Sequence, residues 1–177
     1  MRYAVFDVET PNAKNDRMSS VSVCVVDGGM IAEKFYSLVN PETYFNEFNS
    51  NLTGIRAVDV ADAPTFPEIW RRLASMFEGC VLVAHNAPFD MSVLSKCLRA
   101  YGISWKPSAR YLCTCRMARR ALPTLPSKSL DSVCRHFGIP LLHHNAESDT
   151  LAAAEILLTF FGMGIDPDEF IKEYVFE

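Results

Sequence analysis

The chain has 177 residues, of which 49% are hydrophobic and 21% charged, and it carries a formal net charge of −4. These proportions exclude a disordered or fibrous chain and predict one domain over residues 1–177, large enough to bury a core without disulfide or metal staples. The negative charge excludes a protein that coats long stretches of nucleic acid, because neutralising many phosphates takes an excess of Lys and Arg; a small footprint on a strand end stays open.

Residues 2–9 alternate, with Tyr3, Val5, Asp7 and Glu9 on one face and Ala4, Phe6 and Val8 on the other, which predicts a strand. Its end, FDVET, sets two carboxylates on one side of an otherwise apolar run. An ionised carboxylate is costly to take out of water without a cation or a partner, so the rest of the chain has to supply one. After the polar loop PNAKNDRMS, the runs VSVCVV and MIAEKFYSLV flank the turn DGG at 27–29 and predict a hairpin, completing a three-strand meander. A loop holding LTGI (52–55) leads to TFPE (65–68). There Thr65 and Glu68 form a capping box, Pro67 stands in the first turn, and about three helical turns through WRRLASMF follow.

VLVAH at 81–85 predicts a short buried strand of the parallel kind, and it empties into NAPFD. From Pro88, the residues Phe89, Val93, Leu94, Cys97, Leu98 and Tyr101 recur at helical spacing until Gly102, with Asp90 in the first turn. RYLCTC (110–115) reads as another strand, followed by a helix on which Arg116, Arg119 and Arg120 share a face, and then by the turn signals LPTLPS. SLDSVCRHFG (129–138) predicts a short amphipathic helix. NAESDTLAAAEILLTFFG gives the strongest helical pattern, with His143 and His144 just ahead and Asp149 near its start. The six cysteines form no C-x-x-C pair and read as reduced core thiols. No signal-like stretch opens the chain and no run approaches a membrane span, which predicts a cytoplasmic protein with no membrane contact.

Asp7 and Glu9, Asp90 and Asp149 are thus four acids at the ends of elements. Each alone reads as an ordinary strand-end or helix-start charge; jointly they can converge. Converging carboxylates repel one another unless a hard divalent cation sits among them. Oxygen ligands suit Mg2+ or Mn2+, and two such ions about 4 Å apart form the clamp used for in-line phosphoryl displacement. His144 is then a base for the attacking water. His85 and His136 read as structural residues, and Trp70 and Trp105 as core or rim.

The motifs FDVET, HNAPFD and HHNAESD resemble the three exonuclease motifs of the DEDDh branch of the DnaQ-like 3′-to-5′ exonucleases, a group that includes the proofreading epsilon subunit of bacterial DNA polymerase III. The segments LTGI with DAPTF, and TCRMARR to KSLDSVCRHFGI, resemble that family's connecting elements, so the likeness covers nearly the whole chain. The resemblance implies an α/β ribonuclease H-like fold, with a central mixed five-stranded sheet made of the antiparallel meander plus parallel strands and flanked by helices. It implies that Asp7 bridges two divalent cations, that Glu9 and Asp149 complete the ligands, and that Asp90 supports the second ion. His144 is implied as general base because it stands five residues before Asp149, and Thr10 and Gly54 as residues that hold the terminal nucleotide.

The implied activity is metal-dependent hydrolysis of terminal phosphodiesters at the 3′ ends of single-stranded DNA, releasing nucleoside 5′-monophosphates in proofreading or repair, with a DNA polymerase as a candidate partner. Two alternatives stand beside it: an RNA-trimming exoribonuclease, since the motifs do not select the sugar, and a catalytically idle module that docks a polymerase. The short segment after the third motif favours a free-standing nuclease. Thr10 is followed by Pro11 and Asn12 where many relatives carry Thr-Gly, which points to the loop after FDVET as the place where substrate choice is decided; separately, Ser22 stands where many carry a glutamate.

Overall fold

β1 (Arg2–Glu9) is buried from Tyr3 to Glu9 except at a partly open Asp7, as expected of a strand in the middle of a sheet. In the computed structural model, which describes residues 1–176, it pairs antiparallel with β2 (Ser20–Asp27), and β2 pairs antiparallel with β3 (Met30–Leu38). After α1 (Glu47–Thr53) and α2 (Phe66–Phe77), β4 (Cys80–Ala84) returns to pair parallel with the free edge of β1. α3 (Pro88–Ala100) crosses over to β5 (Ser108–Cys113), parallel to β4. Three helices follow: α4 (Thr114–Ala121), α5 (Leu130–Phe137) and α6 (Ala146–Gly162). The chain then adds β6 (Lys172–Val175) antiparallel to β5, giving the order β3-β2-β1-β4-β5-β6.

The mixed sheet flanked by helices agrees with the sequence reading; the strand count does not, being six among the described residues where five were expected. The sixth, KEYV, has no buried run of its own and is mostly exposed. It is held by edge pairing and by aromatic contacts, Tyr174 with Tyr111 at 6.3 Å and Phe176 with Trp105 at 5.1 Å between ring centroids, none of which local pattern announces.

The period-two alternation of β1 sorts two core layers. Ala4, Phe6 and Val8 pack with Phe66, Leu73, Met91 and Leu94 of α2 and α3, whereas Tyr3 and Val5 pack with Met117, Val133, Ile156 and Phe160 of α4, α5 and α6. Asp7 and Glu9 share the parity of Tyr3, so they point toward α6. The capping box of α2 forms as read: Glu68 Oε2 accepts from the Thr65 amide at 2.6 Å and its hydroxyl at 2.8 Å, a feature that contributes about 1 kcal/mol.

α1 falls where the sequence reads as loop. Asn46 caps it by accepting from the Asn49 amide at 2.7 Å, and Gly54 ends it in the left-handed conformation at φ 75°. EFNSNLT hides this helix because Asn, Ser and Thr are weak helix formers and its apolar residues, Phe48 and Leu52, face outward, leaving no stripe toward the core. Among the described residues no helix is long and apolar enough to cross a membrane.

Candidate active site

The C-terminal end of β1 meets the N-terminal end of α6, and there the carboxylates of Asp7, Glu9 and Asp149 offer oxygens that all lie within 4.8 Å of one another. Asn145 caps α6 by accepting from the Ser148 amide at 3.0 Å, which fixes the turn that carries Asp149. The acids line a cavity of about 660 Å³ together with His85, Asn86, Phe89, Cys115, Arg119, Ser127, Lys128, His143 and His144. That volume lies within the range of about 300–1,000 Å³ usual for small-molecule clefts.

Asp90 is placed differently. It is 2% exposed, in the first turn of α3, and accepts from the Val8 amide at 3.3 Å, so it backs the end of β1 and does not line the cavity. It still acts on the cluster through its charge. Burial pushes the Asp7 carboxyl well above the usual carboxylate range, and Asp90, Glu9 and Asp149 add to that in turn. Glu9 rises to about 7 through burial and the nearby Asp149, and Asp90 rises through burial against the pull of its two amide donors. Asp149 rises less steeply, because both histidines oppose its burial.

Two buried polar atoms here lack partners: Asp149 Oδ1 and the hydroxyl of Ser20, which stands opposite Glu9 in the β1–β2 register. Buried polar groups are nearly always satisfied, so an orphan among mutually repelling acids marks an incomplete site. The donors are hard oxygens, and a divalent cation would answer both the repulsion and the orphan, so these residues fit such an ion.

Both histidines of HHNAESD arrive at Asp149, where the sequence reading preferred His144 alone. His143 Nδ1 lies 3.2 Å from Asp149 Oδ2, and the same oxygen accepts the backbone N–H of His144 at 3.1 Å. The two rings stack at 3.9 Å between centroids. His144 takes up φ 61°, a conformation uncommon for a non-glycine residue, and a ring nitrogen of each histidine lies within 4.8 Å of an Asp149 oxygen. Burial and the His143 ring lower the His144 pKa, which keeps its ring neutral.

Thr10 and Gly54, which the resemblance implies as nucleotide contacts, lie outside the cavity lining. The Thr10 hydroxyl donates to Asn15 Oδ1 at 2.8 Å, and Asn49 Nδ2 donates to the Thr10 carbonyl at 2.8 Å and to its hydroxyl at 3.1 Å. Gly54 closes α1 with its amide on the Ser50 carbonyl at 2.9 Å.

The strand read as RYLCTC ends at Cys113 and the helix begins at Thr114. Cys115 and Arg119, one turn apart, line the cavity; Arg116 and Arg120, neighbours of Arg119 on the same side of α4, do not. Cys115 is accordingly a half-exposed wall residue, while Cys24, Cys80, Cys97, Cys113 and Cys134 are buried.

The family model described as Exonuclease (RNase_T) matches residues 4–157. A DNA polymerase III of PolC type from Caldanaerobacter subterraneus subsp. tengcongensis is 32% identical over 159 residues, covering 88% of this chain and 11% of that protein. A DNA polymerase III subunit epsilon-like protein of Rhodobacter capsulatus is 32% identical over 166 residues, 89% of this chain and 23% of its own length. The chain thus spans about a tenth of the first and under a quarter of the second. Among solved structures, exonuclease X in complex with 5′ overhanging duplex DNA matches at TM-score 0.77 and 21% identity, covering 95% of this chain and 96% of that one. The nuclease domain of 3′hExo, a DEDDh family member bound to rAMP, matches at TM-score 0.77 and 17% identity, covering 92% of each chain. These likenesses show the ribonuclease H-like fold.

Proposed function

Because the chain belongs to the exonuclease family whose model spans residues 4–157, we propose that it removes nucleotides from the 3′ ends of single-stranded DNA, releasing nucleoside 5′-monophosphates. The observation that carries this reading is the cluster of Asp7, Glu9 and Asp149 with its unpartnered Asp149 Oδ1, beside two histidines in an open cavity. Similarity to segments of PolC-type and epsilon-like polymerase III proteins supports a role in proofreading or repair beside a polymerase. All five motif residues are present, which argues against an idle docking module.

Asp7, Glu9 and Asp149 would hold two divalent cations, Mg2+ or Mn2+, with Asp90 supporting the second from behind β1. When bound, these cations neutralise the carboxylates, draw the scissile phosphate and make water easier to deprotonate. His144 accepts the proton of the attacking water, a task suited to an imidazole held neutral near pH 7. Asp149 orients it through the His144 backbone N–H, and His143 braces the same carboxylate oxygen. Asp90 fixes the end of β1 through Val8 and so holds Asp7 and Glu9 in register.

The test uses a 5′-labelled single strand with Mg2+ or Mn2+, beside EDTA and Asp149→Ala controls. The expected result is a metal-dependent ladder shortening from the 3′ end, with His144→Ala slower by about a hundredfold or more and His143→Ala less affected. A matched RNA competitor decides the sugar. Absence of cleavage of either polymer in every metal tried overturns the proposal.

A further inference from the structure

The cavity is lined by residues of unlike charge. Asp7, Glu9 and Asp149 come from β1 and α6; Arg119 and Lys128 come from α4 and the segment entering α5. Neither cation makes a salt bridge among the described residues, although three carboxylates line the same cavity. Uncompensated cations in a cavity that also holds a cluster of acids are available to an anion that enters it.

The cations are held in position by a third residue. Met117 and Ala118 bury α4 against the core, which aims Arg119 into the cavity and leaves Arg120 outside it. The Lys128 ammonium donates to the Leu125 carbonyl, which occupies one of its three donors. The Lys128 carbonyl in turn lies 2.8 Å from His85 Nε2, and His85 Nδ1 lies 2.9 Å from the hydroxyl of Thr114, the first residue of α4. With Nδ1 accepting from Thr114 and Nε2 donating to Lys128, His85 ties the start of α4 to the Lys128 segment. The spacing of the two cations therefore rests on a half-buried imidazole at the end of β4 and not on the loop alone.

Resting on the exonuclease reading above, we propose that Arg119 and Lys128 hold the phosphate on the 5′ side of the scissile linkage of a nucleic-acid strand, with His85 as the positioning residue that fixes their segment. A strand carries one negative charge per nucleotide. The scissile phosphate would go to the carboxylates and the divalent cations they would hold, and the next one to Arg119 and Lys128. A guanidinium fork takes phosphate oxygens in pairs, and the ammonium adds a point charge beside it.

Two substrates separate this role from a general one. A labelled oligonucleotide has an upstream phosphate; the p-nitrophenyl ester of thymidine 5′-monophosphate has only the one to be attacked. Arg119→Ala should raise KM for the oligonucleotide about tenfold, the loss of one charge-assisted contact, and leave ester hydrolysis unchanged. Lys128→Ala should act the same way more weakly, and Arg120→Ala should do nothing. His85→Ala should raise the oligonucleotide KM without lowering kcat on the ester, and His85→Gln, which keeps a donor for the Lys128 carbonyl, should restore most of it. Anisotropy of a labelled strand, read with Ca2+ in place of Mg2+, should show weaker binding by Arg119→Ala and a salt slope smaller by about 0.7. Equal losses on both substrates, an effect of Arg120→Ala as large as that of Arg119→Ala, or unchanged binding would each overturn the proposal. A protein that binds strands through Arg119 but cleaves neither substrate would instead overturn the nuclease reading and leave the strand-holding pair standing.

Discussion

Two polar clusters flank the end of β1, and they are built on opposite principles. On the α6 side, Asp7, Glu9 and Asp149 repel one another, carry raised pKa values and leave Asp149 Oδ1 without a partner. On the α1 side, Thr10, Asn15 and Asn49 exchange bonds of 2.8–3.1 Å, and Asn12 bridges the Tyr44 carbonyl at 2.8 Å and the Lys14 amide at 3.1 Å. The first cluster is costly unless something binds it; the second is complete in itself. Buried polar residues therefore do not mark a site by being polar; what marks this cluster is mutual repulsion together with a bond left unmade.

The largest test of that contrast is Asp149→Asn against Asn49→Ala. Asp149→Asn keeps the shape of the side chain and removes its charge. It should lower hydrolysis by about a hundred- to a thousandfold, while raising the melting temperature in EDTA because one repelled buried carboxylate is gone. A variant that loses activity and stability together would mean that the acid cluster holds the fold.

Asn49→Ala should do the reverse. It leaves the Thr10 carbonyl without its donor at a buried position, which costs about 1–3 kcal/mol. At roughly 2–4 °C per kcal/mol for a chain of this size, thermal unfolding should fall by several degrees, with kcat and KM of the folded protein nearly unchanged. A stable Asn49→Ala protein with a raised KM would break the comparison and return Thr10 to the nucleotide-binding role that the resemblance implies.

The contrast also explains what could be read before any coordinates. Period two in RYAVFDVE places Asp7 and Glu9 on one face whatever surrounds them, and the capping box at Thr65 marks where α2 begins. Those features are local. The role of Thr10 as a hub was hidden because its partners come from 5 and 39 residues away, one of them on a helix with no core-facing stripe. Spacing from Asp149 favours His144, and only the folded turn shows that the His143 ring lies 3.2 Å from the same carboxylate. For Arg119, helical spacing alone groups it with Arg116 and Arg120, and only the packing of α4 shows which of the three lines the cavity.

The smallest expected effect is also the most direct probe of the unmade bond. Burial and the nearby Asp149 push the Glu9 carboxyl up to about 7 in the folded protein, against 4.5 ordinarily. A carboxyl with a raised folded pKa keeps its proton after the unfolded chain has lost it; its favourable share of stability is full below the unfolded value and is lost as pH rises through the folded one. In EDTA, wild type should therefore lose about 1 kcal/mol relative to Glu9→Gln between pH 6.5 and 8, as read by urea unfolding. Other groups that titrate nearby, such as His85 and His144, are common to both proteins and largely cancel. Added Mg2+ should recover the wild type at pH 8 and do little for it at pH 6.5, because protonation and cation binding relieve the same repulsion and compete for the same oxygens. If Mg2+ stabilises both proteins equally at both values, the acids do not form the cation site, and the orphaned Asp149 oxygen has another cause.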